Sequence, residues 1–176
     1  MRHVSAFLLL ISLSLNAHIA TAAEAMKPFT IGIGTYASTI SYDNALLDDV
    51  DFTGGALSFG YAISDQFALR ATLFSQESTD NSNFESKGFD LLGYLGTGLA
   101  THGLKAYIGG GYFSDNWELG PVSERFNGLQ LSGGLGYNWD YVSLDFILNL
   151  RDASDYEVLD INAAAVSGSL LLSYRF

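Results

Sequence analysis

Few residues of this chain could carry out enzymatic chemistry. Histidine occurs three times, and only His102 lies beyond the first 22 residues. General-base catalysis needs a His beside the nucleophile that it activates, but His102 falls in a predicted short turn and no His-x-Ser pair lies on a predicted strand. The chain has no cysteine, so it can form neither a disulfide nor a thiolate metal site. The sequence therefore predicts a protein that is not an enzyme and has no cofactor.

Carboxylates cluster in two predicted loops. They are Asp43, Asp48, Asp49 and Asp51 in the first loop, and Asp152, Asp155, Glu157 and Asp160 in the last. Oxygen-only sites of this kind can bind Ca²⁺ or Mg²⁺. Neither loop matches a calcium-loop motif, however, and a charge run is also typical of a solvated face, so both interpretations stay open. We select as candidates for contact with another molecule Asp48, Asp49, Trp117, Asp155, Tyr156 and Glu157.

A third group of charges falls on the polar faces of predicted strands. Its members are Arg70, Asp90, Lys105, Asp145, Arg151 and Arg175. They could line an ion path, or they could form a paired plug inside a barrel. An eight-stranded barrel has an interior that side chains just fill, and buried charges are tolerated when they are paired. We therefore favour the plug, with Asp145 and Arg175 in contact and Arg70 or Lys105 close by.

The elements that must position these residues are β-strands, because apolar residues alternate with polar ones. In the segment 166–176, the even positions are Val, Gly, Leu, Leu, Tyr and Phe, whereas the odd positions are mostly Ser and Arg. A period of two indicates a strand with one apolar face. The same alternation recurs along the chain and predicts eight strands in all. Near Gly34 the parity is lost, and we predict a bulge there that turns Tyr36, Ile40 and Tyr42 outward.

The connections between these strands alternate in length. Short turns are predicted at 64–66, 101–103 and 138–141, and longer polar loops at Asp43–Asp51, Glu77–Lys87, Asp115–Arg125 and Asp152–Asp160. This alternation is typical of a transmembrane barrel, which must close because open edges would leave backbone groups unpaired in hydrocarbon. Two aromatic girdles are expected. The short-turn girdle is Tyr61, Phe67, Tyr137, Trp139, Tyr141, Tyr174 and Phe176, and the loop-side girdle is Tyr42, Phe52, Tyr112, Phe113, Trp117 and Phe126.

The N-terminus reads as a cleaved secretory signal. A basic lead, an apolar run over 6–15 and small residues at Ala20-Thr21-Ala22 predict a signal peptide over 1–22 and one barrel domain over 23–176. An N-terminal anchor helix is the alternative, although the run is short for one. The mature chain carries 7 basic and 19 acidic residues (7 − 19 = −12), a balance that strongly disfavours nucleic acid as a partner. A soluble lipocalin-like barrel or sandwich is the remaining alternative to the all-β, eight-stranded antiparallel transmembrane β-barrel that we predict.

Three segments carry a family likeness: Tyr174-Arg175-Phe176, Gly109-Gly110-Gly111-Tyr112 and Phe59-Gly60-Tyr61. They resemble the small bacterial outer-membrane β-barrel family, which includes the OmpA transmembrane domain, OmpX/Ail, OmpW and the opacity proteins. The resemblance implies a location in the Gram-negative outer membrane, contact with its lipid and lipopolysaccharide, and recognition of Tyr174 and Phe176 by the barrel-assembly machinery. We expect a monomer.

Three functions follow from these observations. The first is a non-enzymatic structural or surface-interaction role through acidic external loops. The second is a narrow channel for small or apolar solutes, as the OmpW-like resemblance implies. A lipid-modifying barrel enzyme is the third, and the position of His102 disfavours it.

Overall fold

The computed structural model describes residues 26–42, 49–81, 83–156 and 163–176. Their alternating sequence forms eight antiparallel strands, each paired with its neighbours along the chain, and β8 also pairs with β1 to close a barrel. The strands are β1 Phe29–Tyr42, β2 Val50–Ala62, β3 Phe67–Ser78, β4 Phe84–Thr97, β5 Gly103–Leu119, β6 Val122–Asn138, β7 Val142–Arg151 and β8 Ala163–Arg175. A short 3₁₀ turn, Ser154–Tyr156, precedes β8. The predicted fold class is confirmed.

Several predictions from the sequence concern residues outside this description. The signal peptide over 1–22 is one, and the loop acids Asp43, Asp48, Glu157 and Asp160 are others. The side chain of Asp155 also lies outside it. Among the residues that are described, no helix is long and apolar enough to cross a membrane.

The two faces of the sheet are arranged as the alternation predicts. Along β7, exposed and buried residues alternate without exception, with Leu144, Phe146 and Leu148 outside and Ser143 and Asp145 inside. The outer surface of the barrel is therefore apolar and its interior holds most of the polar groups. A soluble barrel has the opposite arrangement, so that alternative is wrong.

The predicted bulge near Gly34 is wrong. The β1–β2 register runs without interruption from Phe29 to Ile40, and Tyr36 and Ile40 point into the barrel, each with 1% of its surface exposed. Parity seemed to be lost because the interior accepts large apolar side chains at some levels, so polarity alone does not identify the inner face.

The predicted girdles differ in outcome. One end of the barrel carries the turns 63–66, 98–102 and 139–141, and we call it the short-turn end. Exposed aromatic residues form a ring around the barrel there, which we call the exposed aromatic ring. Phe29, Tyr174 and Phe176 stack on one another within it. At the opposite, loop end, the prediction is wrong for most members. Tyr112 points outward, whereas Phe52, Phe113 and Phe126 are buried inside.

One predicted loop is a continuation of two strands. Instead of ending near Asp115, β5 runs to Leu119, and β6 begins at Val122. Gly120, with φ 59°, makes the tight turn between them. Glu77–Lys87 is shortened in the same way, since β3 runs to Ser78 and β4 begins at Phe84. Polar residues on a strand that continues beyond the apolar belt resemble a loop in sequence.

Candidate functional site

The interior near the short-turn end is organised around Asp145 on β7. Its carboxylate accepts a hydrogen bond from Lys105 Nζ at 2.8 Å and lies 3.3 Å from the Arg70 guanidinium. The hydroxyl of Tyr107 donates to it at 2.5 Å, and Ser143 donates at 2.9 Å. We call these five residues the Asp145 network. Two cations and two hydroxyls surround the buried carboxylate, and they take the place of the water that it would bind in solution.

Glycines on β6 make room for this network. A Cβ placed on Gly134 would lie 2.3 Å from the Tyr107 ring, and one placed on Gly136 would lie 2.6 Å from Cε of Lys105. These distances are too short for any side chain larger than hydrogen. The inward glycines of β6 are therefore needed so that long side chains from β5 can lie flat across the inner wall.

A second network lies nearer the loop end, around Arg151 on β7. Its guanidinium donates to Asp90 at 3.1 Å and to Asp115 at 3.4 Å. It also donates to the Tyr36 hydroxyl at 2.8 Å, and that hydroxyl donates to Asp90 at 2.5 Å. We call these four residues the Arg151 network. Sequence reasoning missed Asp115 and Tyr36, because Asp115 was placed in a loop and Tyr36 on the outer face.

The structure pairs Asp145 with Arg70 and Lys105, whereas the sequence predicts a pair of Asp145 with Arg175. The cations that hold Asp145 are Arg70 and Lys105, which were expected only to lie close by. Arg175 donates to the main-chain carbonyls of Trp139 and Ala100, both at 2.5 Å. Arg175 therefore joins the end of β8 to the β4–β5 turn and the β6–β7 turn.

Apolar and aromatic side chains fill the space between the two networks. Tyr36 stacks on Phe74 with ring centroids 4.4 Å apart, and Tyr94 meets Tyr107 edge to face at 4.7 Å. The buried members of this layer are Tyr36, Ala56, Phe74, Leu92, Tyr94, Tyr107, Ile147 and Leu171. The interior is thus a packed core in successive layers, as expected for eight strands.

The loop end of the barrel is closed by an aromatic group that we call the mouth cluster. Its members are Phe52, Phe84, Phe113, Trp117, Phe126 and Tyr156. Tyr156 reaches in from the 3₁₀ turn, stacks on Phe126 at 4.5 Å and donates to Asp115 at 3.4 Å. Burial raises the pKa of Tyr156 above its usual value. Trp117 and Tyr156, predicted as external contact residues, therefore pack inside the mouth.

The short-turn end is closed by the β4–β5 turn, which folds beneath the barrel. Leu99 packs against the apolar layer and Ala100 is buried. Asp65 in the β2–β3 turn accepts hydrogen bonds from Thr101 Oγ1 at 2.8 Å and from the amides of Gly98 and Ala100. Burial acts to raise the pKa of Asp65, but these hydrogen bonds outweigh it and hold that pKa below its usual value.

These features can be compared with known proteins. No protein-family model matches the chain, and no curated protein matches it in sequence. Solved structures do. Ail, the attachment invasion locus protein of Yersinia pestis, superposes with a TM-score of 0.60 at 17% identity, covering 86% of this chain and 100% of that one. Neisserial surface protein A gives 0.62 at 16% identity, covering 87% and 100%.

OprG, an outer membrane protein of Pseudomonas aeruginosa, gives a TM-score of 0.53 at 14% identity, covering 86% of this chain and 97% of that one. The chain has the fold of the small outer-membrane β-barrels. At these identities the likeness establishes the fold, so the function of this barrel has to be argued from its own residues.

An acidic surface lies at the loop end of the barrel. The described carboxylates there are Asp49, Asp51, Glu77, Asp80, Glu85, Glu118, Glu124 and Asp152, and the described cations are Lys87 and Arg125. Lys87 pairs with Glu85 and, at 3.5 Å, with Glu118. Most of the described carboxylates at this end therefore face solvent and have no cation beside them. We call the described carboxylates of the loop end, taken together, the acidic rim.

Some buried polar atoms in the interior have no hydrogen-bond partner among the described residues. Among them are both amide atoms of Gln130, Oδ1 of Asn149 and Nε of Arg151. Gln130 pairs with Arg151 across β6 and β7, so these atoms lie together on one part of the inner wall. Buried polar groups usually bind ordered water when protein partners are missing.

Proposed function

We propose that this protein is a non-enzymatic outer-membrane barrel that acts through the surface it exposes at the loop end. The observation that carries the proposal is the packed interior. Two charge networks and an apolar layer fill the described interior, and side chains close each end. A barrel that is filled in this way can meet the environment only through its outer surface and its rim.

The charge of the acidic rim decides which partners fit. Its carboxylates favour basic partners, at an association rate that falls with salt, and they repel anionic surfaces unless divalent cations intervene. One solved structure holds Ail in complex with the heparin analogue sucrose octasulfate. For this chain we expect the reverse preference, with no binding of that sulfated compound and binding of a cationic polymer such as polylysine.

A charge-neutralised variant tests the role of the rim. Asp49→Asn, Glu77→Gln, Asp80→Asn and Asp152→Asn together remove four exposed carboxylates. The proposed surface also includes Asp48, Asp155 and Glu157, which a second variant would neutralise. Binding to lipopolysaccharide is measured with and without Ca²⁺, and binding to polylysine at low and high salt. We expect both the Ca²⁺-dependent binding and the polylysine binding to weaken.

Asp140→Asn is the matched control, because Asp140 is exposed in the β6–β7 turn at the opposite end. It should bind as the parent does. Identical curves for parent and rim variant at low salt would mean that the acidic rim is only a solvated face, and the proposal would fail.

A narrow channel is the second candidate function, and the partnerless atoms of Gln130, Asn149 and Arg151 support it, because they mark a place where water could enter. Recordings in planar bilayers separate the two. We expect no steady open levels from the parent, whereas steady levels would favour the channel. A lipid-modifying enzyme is the third, and it predicts a changed lipid A mass spectrum in cells that carry the protein.

The proposed location and assembly rest on the apolar outer surface and its exposed aromatic ring. We expect the protein in the outer-membrane fraction, beginning at Ala23 after removal of residues 1–22. Tyr174 and Phe176 point outward at the short-turn end, where the assembly machinery could contact them. Phe176→Ala should lower the yield of folded barrel in cells while leaving refolding in detergent unchanged, and equal yields would count against this role.

A further inference from the structure

A groove crosses the outer surface of the barrel over β3, β4, β5 and β6. Its volume is about 610 Å³, and its lining is apolar. It begins beside Ile63 and Phe67 at the short-turn rim and ends beside Leu131, midway along β6. Leu95 and Ile108 form one of its walls, and both are exposed on the outer surface.

Gly93 lines the groove, and a second glycine, Gly110, lies beside it on the neighbouring strand. Gly93 and Gly110 are direct partners across β4 and β5, with Leu69 paired to Gly93 and Leu131 paired to Gly110. The row Leu69, Gly93, Gly110, Leu131 therefore has large side chains at its ends and none in the middle. On β4 and β5, the outward positions on either side of these glycines carry large side chains, namely Leu91, Leu95, Ile108 and Tyr112.

The packing of the barrel itself does not require a glycine at position 93. A Cβ on Gly93 would meet nothing closer than the Leu69 side chain at 3.7 Å, and one on Gly110 would meet a carbonyl oxygen at 3.2 Å. The inward Gly109, by contrast, leaves only 2.2 Å. Gly93 and Gly110 both lie inside strands, where glycine weakens a sheet. The space that Gly93 leaves open thus costs stability without any gain in internal packing.

We propose that the groove holds one acyl chain of a phospholipid from the membrane leaflet at the short-turn end. An apolar lining suits a hydrocarbon chain and no polar ligand. The groove opens at Phe67, within the exposed aromatic ring, and such rings mark the level of the lipid headgroups. An acyl chain whose headgroup lies at that ring would run along the groove toward the middle of the membrane.

The size of the groove agrees with this occupant. The groove spans four strands and has a volume of about 610 Å³, so it has room for a hydrocarbon chain of many methylene groups. The inference rests on the membrane location proposed above, since only there is a phospholipid the surrounding solvent.

Native mass spectrometry of the refolded barrel tests the site. The protein is kept in detergent with added phosphatidylethanolamine that carries chains of 16 and 18 carbons, and retained lipid is counted. We expect the parent to retain one lipid and Gly93→Leu, which fills the groove, to retain at least tenfold less. Ala71→Leu is the matched control, because Ala71 pairs with Leu91 on the same outer face but does not line the groove. It should retain lipid as the parent does.

A second pair of variants covers the case in which Gly93→Leu does not fold. Ile108→Ala removes one wall of the groove and should also lower retention, whereas Leu104→Ala, on the same strand and outside the groove, should not. Equal retention in parent, Gly93→Leu and Ile108→Ala would overturn the proposal. The proposal would also be overturned if the parent appeared as a dimer and Gly93→Leu as a monomer, because a second copy of the chain would then fill the groove. Absence from the outer-membrane fraction would instead contradict the proposed location.

Discussion

Asp145 shows at the scale of a single residue how the interior tolerates charge. It lies between Arg70 and Lys105, and all three side chains are almost fully buried. Asp145→Ala should lower the free energy of unfolding by about 3–5 kcal/mol, because it leaves two buried cations without their anion. Urea unfolding in lipid vesicles measures this loss. Asp80→Ala, at an exposed site, should change stability by less than about 0.5 kcal/mol. An unchanged midpoint for Asp145→Ala would mean that water enters the interior.

Asp65 gives a pH-dependent prediction. Its folded-state pKa is depressed, so its contribution to stability is present above its unfolded pKa of about 3.9 and is lost as the pH falls through the folded pKa. At pH 7 the parent should be more stable than Asp65→Asn by about 1 kcal/mol, a modest value because the side chain is partly exposed. Unfolding of both proteins between pH 7 and pH 2 measures the difference, which should shrink with acidification. A constant difference over that range would contradict the prediction.

At the scale of the strand, neighbouring glycines of β6 have different roles. Gly134 faces inward, where an added Cβ would lie 2.3 Å from the Tyr107 ring, and Gly133 faces outward, where the nearest atom would be 4.0 Å away. Gly134→Ala should cost about 1–3 kcal/mol through overpacking, whereas Gly133→Ala should be neutral or slightly stabilising. Unfolding in urea compares the two, and similar losses for both would show that the inner wall can yield.

The loop that carries Tyr156 can be followed by fluorescence. The chain has 2 Trp residues, so Trp139→Phe leaves Trp117 in the mouth cluster as the reporter. Tyr156→Ala in that background should increase acrylamide quenching of Trp117, because it removes a ring 5.5 Å away and opens the mouth. Tyr156→Phe keeps the ring and should leave the quenching unchanged. If Tyr156→Ala also leaves it unchanged, the mouth is closed by other residues.

The strands could be predicted from sequence because alternation has a fixed period and the outer face is apolar along most of the barrel. The contents of the interior could not. Phe52, Phe113 and Tyr36 are apolar or aromatic like the lipid-facing residues, and only the register places them inside. Asp115 was missed because the outer face of β5 becomes polar beyond the apolar belt, at Ser114, Asn116 and Glu118, and such a segment resembles a loop. The partners of Asp145 depend on which strands lie opposite each other, and that follows from the closure of the sheet.

For the whole molecule, the closed sheet predicts resistance to detergent. Every strand is paired on both sides, and no edge strand remains at which unfolding could begin. The folded barrel in dodecyl sulfate should therefore migrate differently before and after boiling, with circular dichroism rich in β-structure before heating. The prediction that this barrel is a membrane protein would be contradicted if all the protein were found in the soluble periplasmic fraction and migrated identically before and after boiling.

The seam between β1 and β8 has a consequence for the order of folding. Seven of the ladders join strands that follow each other along the chain, but the eighth pairs Phe29 with Phe176 through two backbone hydrogen bonds of 3.0 Å. Contacts between residues this far apart in sequence are slow to form. The cylinder cannot shut until β8 has left the ribosome and crossed the inner membrane. Until then β1 and β8 each have an unpaired edge. A chain in that state needs a chaperone that keeps those edges from pairing with other chains.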